Sequence, residues 1–440
     1  MAEISIIVPS LNVLPYIREC LDSLRGQTFK DIEIICVDAG SDDGTVDLIK
    51  QIADCDHRVK LVHSERRSYG YQVNLGIKLT KGEYIGIVDS DDFVEKDMYE
   101  VLYGILHSSG YDYIKCNYWI DRQLKTGVIE RQGKLNSLIS DSDMSNLLEK
   151  PVSICQNPEI LLGETYIWNG LYRKDFLLQN NIWVNETKGA AWQDIGFSVQ
   201  MMLRAKKIYY TNRRFNHYRM GRPGNSSENP NMLNYLYQEW KDISDQISLN
   251  NATVRRCLFS RLAWHFTNVY TEALRTVDYD ITSEYLTRYA WFKQILETAL
   301  PDNDYSLIGD SVYERLGLIL SDPKAYADIQ QKLDQRKRQL QEKNIRKIAN
   351  DGIVIFGCGE YGKNVLEALD STDMTVSAMT DNNSSLWGRT IGGFPVISPN
   401  DCVSHFRDGN FIVANKYHAE EIKEQLIKTG ISGRQIVIWQ

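Results

Sequence analysis

The segment Tyr84-Ile85-Gly86-Ile87-Val88-Asp89-Ser90-Asp91-Asp92-Phe93 runs an apolar stretch straight into three carboxylates. Four apolar residues around one glycine, bounded by polar residues, read as a strand covered on both faces. Carboxylates crowded at its C-terminal end repel one another unless a cation lies between them. Oxygen-only donors favour a hard divalent ion, Mg²⁺ or Mn²⁺, of the kind that also holds a substrate phosphate. An acidic turn capping the next helix would use the same residues, so the surrounding chain has to decide.

Upstream, short apolar runs alternate with helical patterns. Ile4–Val8, Ile32–Val37 and Val59–Val62 read as strands; Pro15–Leu24, Gly44–Ala53 and Gly70–Leu79 read as helices. With Tyr84–Val88 this is a βαβαβαβ series, which predicts an open, mostly parallel sheet with helices on both faces. Ligands on such sheets bind outside the carboxyl ends of the strands. Ser10, Asn12, Asp38 and Asp89–Asp92 all fall just after strands and therefore converge on one rim.

From about 120 to 230 the chain is rich in Trp, Tyr, Asn and Gly, shows little periodicity, and reads as structured loops that form binding surface. From Met232 to Asn350 it reads as helical, with apolar spacing through Leu258, Leu262, Phe266 and Val269. The end of that region, Lys332 to Lys347, carries Arg336-Lys337-Arg338 and reads as a solvated linker helix, with a membrane-surface contact as the sharper alternative. At Ile353 the pattern resets to strand, and Gly357-Cys358-Gly359-Glu360-Tyr361-Gly362 opens a helix, with Asp381 ending the next strand. This fits a dinucleotide fingerprint; a domain for packing, dimerisation or acceptor positioning is the preferred reading, and a second nucleotide site formed by Gly357, Gly359, Gly362 and Asp381 is the alternative. The expected division is 1–230 for the sheet domain, 231–350 for the helical region and 351–440 for a small Rossmann-like α/β domain.

The size agrees, since 440 residues exceed one ordinary core. Hydrophobic content of 43% and charged content of 25% are those of a globular protein. A formal charge of −8 argues against a general nucleic-acid binder. The eight cysteines include no C-x-x-C pair and suit a reduced protein. The start, Met1-Ala2-Glu3-Ile4, enters a strand without a basic or long apolar leader, and no window holds roughly 18 uninterrupted apolar residues. A cytoplasmic protein is expected, with contact at the inner membrane face left open.

The motifs Ile6-Ile-Val-Pro-Ser-Leu-Asn12, Val37-Asp-Ala-Gly-Ser-Asp-Asp-Gly-Thr45, Gly82-Glu-Tyr-Ile85 and Asp89-Ser-Asp-Asp92 together resemble family 2 glycosyltransferases of the GT-A fold over roughly the first 220 residues. The resemblance implies transfer of a sugar from a UDP-sugar donor with inversion at the anomeric carbon, assisted by Mn²⁺ or Mg²⁺. Pro9, Ser10 and Asn12 would line the nucleotide pocket, and Asp38 would accept from uracil N3–H. Ser90 and Asp89 would face the donor, and Asp89 and Asp91 match the D-x-D metal signature, with Asp92 behind them. Ala190-Ala-Trp-Gln193-Asp194-Ile-Gly-Phe197 looks like the family's later acidic motif and assigns Asp194 as the base an inverting transfer requires. His217-Tyr218-Arg219 and Gly224–Ser227 resemble a loop over the diphosphate. There Arg219 would partner phosphate, and His217 would be either a further metal ligand or a packing residue. The chain departs from the pattern at Ala39, where a second acid is usual, at Gln72-Val73, where many relatives have Ala-Arg, and at Gln193, often Glu. Arg66 or Arg67 could replace the missing arginine. Trp168, Trp183 and Trp192 could stack on sugars or pack in the core.

The expected acceptor is a glycan or lipid-linked saccharide of a bacterial cell-surface polysaccharide; a homodimer is left open. A sugar-phosphate nucleotidyltransferase would normally carry a Gly-rich basic loop where Pro9-Ser-Leu-Asn12 stands. A non-catalytic nucleotide-sugar sensor built on the C-terminal fingerprint is the third reading.

Overall fold

The computed structural model describes residues 2–133, 144–220, 231–246, 251–299, 306–345 and 352–439. Two compact units emerge: Met1–Trp119, Gln132–Tyr218 and Gly224–Ile329 form one, and Ile120–Arg131, Arg219–Pro223 and Gln330–Gln440 the other.

The first unit opens with β1 (Ile4–Ser10), α1 (Leu14–Arg25), β2 (Ile32–Asp38), α2 (Thr45–Cys55), β3 (Val59–His63), α3 (Tyr69–Leu79) and β4 (Tyr84–Ile87). β1 pairs in parallel with β2 and β4, and β2 with β3, as the alternating pattern predicts. Then follow β5 (Phe93–Val94), α4 (Met98–Ser109), β6 (Tyr113–Leu124), β7 (Gly127–Gln132), β8 (Pro151–Val152), β9 (Gly170–Arg173), α5 (Lys174–Gln179), α6 (Gln193–Arg204) and β10 (Ile208–Met220). The sheet order is β3-β2-β1-β4-β9-β6-β10-β5, with β9 antiparallel to both β4 and β6. The stretch read as structured loops thus supplies the end of β6, the short β9 and the long β10 of the central sheet. Their polar residues disguise them. Asn117 donates to Asn212 Oδ1 at 2.7 Å and Asn216 to the Trp168 carbonyl at 2.9 Å, so amides that mimic a loop are satisfied across strands.

Residues on alternate faces of the strands feed two cores. Ile6, Val8, Ile34 and Cys36 pack with α1, α2 and α4. Ile7, Ile35, Val37, Ile85 and Ile87 pack beneath α3, and that cluster runs on into the helices that follow. These are α7 (Met232–Gln246), α8 (Ala252–Thr276), α9 (Ser283–Ala299) and α10 (Asp310–Ser321), with α11 (Pro323–Ile345) after them. Phe266, Tyr270 and Leu236, each fully buried, belong to the same cluster as the sheet residues. Among the described residues no helix is long and apolar enough to cross a membrane.

The second unit holds β11 (Ile353–Phe356), α12 (Glu360–Asp370), β12 (Val376–Thr380), β13 (Thr390–Ile391), β14 (Phe394–Ile397), α13 (Pro399–His405), β15 (Asn410–Val413), α14 (Ala419–Lys428) and β16 (Ile436–Ile438). Strands β14-β12-β11-β15-β16 are parallel, and β13 adds antiparallel at one edge. Leu124 and Ile129 of the Ile120–Arg131 hairpin sit in this unit's core with Val365 and Leu366. Arg131 meets Glu360 at 2.8 Å and Asn364 at 2.9 Å, with Glu367 also in contact.

Because helices and sheet of the first unit share one core, Phe266→Ala should lower stability by about 3–5 kcal/mol. Calorimetry and near-ultraviolet dichroism should record a single displaced transition for that unit. Early loss of helix with the tyrosine signal of the sheet intact would mean separate cores.

Candidate active site

The rim at the carboxyl ends of β1 and β2 is organised by Asp38. Its Oδ1 accepts from the backbone of Gly40 at 2.9 Å and Ser41 at 2.8 Å; its Oδ2 accepts from the hydroxyls of Ser10 at 2.9 Å and Ser41 at 2.6 Å. Four donors fill the acceptor capacity of one carboxylate, so Asp38 shapes the loop after β2. Asn12, at φ +52°, ties the two loops by accepting from Asp42 N at 3.0 Å while its own N–H donates to Ser41 Oγ at 2.8 Å. Gln72 of α3, buried, donates to the carbonyls of Ser10 at 2.9 Å and Val37 at 2.6 Å. It therefore braces the ends of β1 and β2 from beneath. Arg67 reaches the Gly40 carbonyl at 3.0 Å, whereas Arg66 pairs with Glu186 at 3.0 Å.

At the end of β4 the chain turns through Asp89–Asp92, Asp92 N donating to the Asp89 carbonyl at 3.0 Å, and Ser90, Asp91 and Asp92 are buried. The turn is clamped on its far side, since β5 pairs with β10 and Glu95 N donates to the Phe215 carbonyl at 2.7 Å. His217 supports this clamp: its ring stacks on Phe93 at 4.2 Å and its Nε2 lies 3.1 Å from Glu95. Arg219 follows on the same strand; Gly224–Ser227 lie outside the described residues.

Asp194 opens α6 and is joined to this turn through two tyrosines. Tyr69 donates to Asp89 Oδ1 at 2.8 Å, and its phenol is pushed well up by burial, then by Asp89, with Asp194 contributing as well. The Tyr218 phenol is likewise raised by burial and by Asp92, Asp89, Asp91 and Asp194 together. Asp89 and Asp194 thus act on both phenols, and Asp91 and Asp92 on Tyr218. Burial pushes the Asp194 carboxyl up to about 6, against the opposing pull of its own helix N-terminus, Lys115 and Arg261. Lys115, buried on β6, donates to Tyr172 at 2.8 Å and Asn169 at 3.1 Å; burial pulls it down to about 7, opposed by Cys116 and Asp194.

Loop packing positions Asp194. Tyr69 N donates to the Gly189 carbonyl at 2.9 Å and Gly189 N to the Arg67 carbonyl at 3.0 Å, fastening the loop before α6 to the start of α3. Gly70 permits this approach: a Cβ there would lie 2.0 Å from the Asn185 carbonyl oxygen. Gln193, in place of the usual acid, holds Thr187 through its carbonyl at 2.6 Å and its hydroxyl at 2.7 Å. Trp192 stands in the left-handed region at φ +64° just before α6. Trp168 is buried and stacks on Tyr218 at 5.3 Å, which makes it a wall of the site's core.

Tyr69, Tyr218, Lys115, Glu239 and Arg261 escape sequence reading. Lys115 inside the apolar run Tyr113–Cys116, and Arg261 between Leu258 and Leu262, are the charges on buried faces that would have flagged them. Glu239 of α7 accepts from Gly196 N at 3.2 Å, an approach open only because Gly196 lacks a side chain, whose Cβ would lie 2.6 Å away. Burial, with Asp194 adding, pushes its carboxyl up to about 8.

A hard divalent cation suits the chemistry of the turn: its donors are carboxylate oxygens, with Asp91 and Asp92 buried and Asp89 half-buried and held by Tyr69. In the second unit the glycine-rich turn has the expected strand–turn–helix form. Gly362 packs where a Cβ would meet the Gly357 carbonyl oxygen at 1.8 Å, whereas Gly359 faces open space. Asp381 is engaged in the turn itself, accepting from Cys358 N at 2.8 Å and Asn383 N at 2.9 Å.

Comparison with known proteins agrees with this geometry. Residues 5–162 match the glycosyl transferase family 2 model, and residues 349–437 a model described as C2185-like, N-terminal. The uncharacterized glycosyltransferase EpsJ of Bacillus subtilis is 30% identical over 234 residues, 52% of this chain and 62% of EpsJ. Glycosyltransferase GlyG of Streptococcus pneumoniae is 40% identical over 117 residues, 26% of this chain and 39% of GlyG. The chain spans 62% and 60% of the first two curated relatives it matches. The crystal structure of S. aureus TarS 1-349 superposes with a TM-score of 0.54 at 19% identity, covering 77% of this chain and 92% of that one. At that identity the likeness speaks for the fold. Fold and rim together define a glycosyltransferase domain of GT-A type. Within that class, residues 5–162 match glycosyltransferase family 2.

Glu239 also marks stability. A carboxyl raised from 4.5 to about 8 by folding contributes stability fully present below its unfolded value and lost as pH climbs through about 8. Glu239→Gln should therefore melt with a flatter pH dependence than the native chain between pH 5 and 8. Parallel melting curves across that range would show that Glu239 is ionised when folded.

Proposed function

We propose that this protein is an inverting, metal-assisted glycosyltransferase. It moves a sugar from a UDP-sugar to a hydroxyl of a glycan or lipid-linked saccharide in bacterial cell-surface polysaccharide biosynthesis. The observation that supports the reading is that Asp194, whose carboxyl burial pushes up to about 6, acts on Tyr69, the phenol that donates to Asp89 at 2.8 Å, and on Tyr218. A base for the acceptor and a seat for the donor diphosphate are what an inverting displacement needs. TarS, solved in complex with UDP-GlcNAc, superposes with a TM-score of 0.56 and supports a uridine nucleotide as donor. The B. subtilis and S. pneumoniae glycosyltransferase relatives support a bacterial glycan as product.

In this reading the uridine lies against the loops that Asp38, Asn12 and Gln72 hold together. Asp89 and Asp91 would hold Mg²⁺ or Mn²⁺, which when bound stabilises charge on the departing diphosphate. The acceptor oxygen attacks the anomeric carbon from the face opposite the diphosphate as the carbon–oxygen bond to UDP breaks. The acceptor proton passes to Asp194. Lys115, fixed by Asn169 and Tyr172, favours the ionised carboxylate before the transfer. Tyr69 orients Asp89 through its hydrogen bond.

EDTA should abolish UDP-sugar turnover and added Mn²⁺ or Mg²⁺ restore it, with Asp91→Ala inactive in either case. Full activity of Asp91→Ala in metal-free buffer would remove the metal from the mechanism.

The base gives a second test. Asp194 accepts a proton only when ionised, so kcat/KM should rise with pH through about 6 and level above it. Asp194→Asn should keep UDP affinity by calorimetry, lower turnover by about 10²-fold or more, and lose that acidic limb. Retained turnover with lost UDP binding would make Asp194 a binding residue.

A further inference from the structure

A pocket of about 410 Å³ opens on the side of α6 that Asp194 does not occupy, with Gly196 and Glu239 in its wall and Trp183, Lys78, Glu186 and Asp242 around it. Most of its polar groups are already committed. Asn74 donates to the Val184 carbonyl at 2.8 Å and to Glu186 at 3.1 Å, and Asn185 donates to Asp242 at 2.7 Å. Glu239 is the exception. It is 1% exposed, one oxygen accepts from Gly196 N, and Oε1 has no hydrogen-bond partner among the described residues. A buried carboxyl oxygen left unmet at the wall of a polar pocket is costly unless a ligand completes it.

Charge balance says what kind of ligand that is. Glu186 is paired with Arg66 at 3.0 Å, and Asp242 shares the pocket with Lys78, so the pocket has no excess of either sign to attract a phosphate or a metal ion. With its carboxyl pushed up, Glu239 carries a proton near neutral pH and can donate as well as accept. Hydroxyl groups, themselves donor and acceptor, match such an acid. Trp183 contributes the apolar wall; its Nε1 is held by Asn181 at 2.8 Å, and Lys78 Nζ lies 5.5 Å from its ring centroid. A partly exposed, fixed aromatic beside hydroxyl-matching groups is the chemistry of a saccharide subsite, and the volume lies in the range of small-ligand pockets.

We infer that this pocket binds a saccharide unit of the acceptor or growing glycan other than the one that receives the sugar, with Glu239 meeting its hydroxyls and Trp183 its apolar face. The inference rests on the glycosyltransferase reading above. Only Ile195 separates the helix residue that bears the base from Gly196 in the pocket wall.

Saturation-transfer NMR on the full chain, with N,N′-diacetylchitobiose, lactose and maltose as probes, tests it. At least one disaccharide should bind, with affinity at least tenfold weaker in Glu239→Leu and Trp183→Ala and retained in Glu239→Gln, whose amide still donates and accepts. Melting curves confirm that each variant is folded. If Glu239→Leu does not fold, the partly exposed Trp183 carries the test alone. Binding of none of the three probes, or binding unchanged in Trp183→Ala, overturns the subsite. UDP-sugar hydrolysis by the unmodified chain, measured on the same preparation, keeps the two readings apart. Its presence without disaccharide binding sinks the subsite only, and its absence sinks the transferase reading itself.

Discussion

The charge of the Asp89–Asp92 turn, gathered beside the half-buried phenols of Tyr69 and Tyr218, is the constraint on which the rest of this site depends. Asp89, Asp91 and Asp92 end a strand that has no room to move, because β4 lies between β1 and β9 in the sheet. Repulsion within such a turn could be relieved by splaying it apart. The fold prevents that by clamping the turn from both sides, with β5 zipped onto β10 and Asp89 fixed to Tyr69. A turn held closed in this way keeps its field directed at the rim, where a cation and a diphosphate can share it. Asp194 is raised separately, by its own burial, to about 6.

Much of this was legible in the chain. The parallel half of the sheet follows from apolar runs alternating with amphipathic helices, and the rim from polar residues placed just after strands. β10 was not legible, because Asn216 and His217 interrupt its apolar alternation while being paired or stacked across strands, and of β6 only the apolar run around Cys116 was, since Asn117 ends it. A single sequence shows which residues are polar but not which are satisfied. The same limit hid Tyr69: its partner Asp89 is twenty positions away, and only the packing of α3 on β1 and β2, with β4 beside β1, brings them together.

The departures from the family pattern also acquire a physical reading. Where many relatives carry a basic residue in α3, this chain has Gln72-Val73. Val73, at the arginine's place, is fully buried in the core, where a guanidinium would carry a desolvation cost, while Gln72, at the alanine's place, ties the carbonyls at the ends of β1 and β2. Gln193, standing where an acid is common, closes its own loop onto Thr187. A second ionised carboxyl beside Asp194 would raise the pKa of the pair further. The neutral amide leaves one titrating group where one base is needed.

The helices after the sheet take part in this electrostatic arrangement. Arg261, almost fully buried in α8, donates to the Leu162 carbonyl at 3.1 Å, stands 3.6 Å from Glu164, and lowers the pKa of Asp194. Buried ion pairs contribute little net stability, and an apolar side chain of similar volume would pack there at no desolvation cost. Such a replacement would also leave Glu164 without its cation and would remove one of the charges, after Lys115, that lower Asp194. The buried arginine therefore bears on the electrostatics of Asp194 as well as on the packing of the helices. Because sheet and helices share one core, Arg261 can act on Asp194 only while α8 stays packed in it.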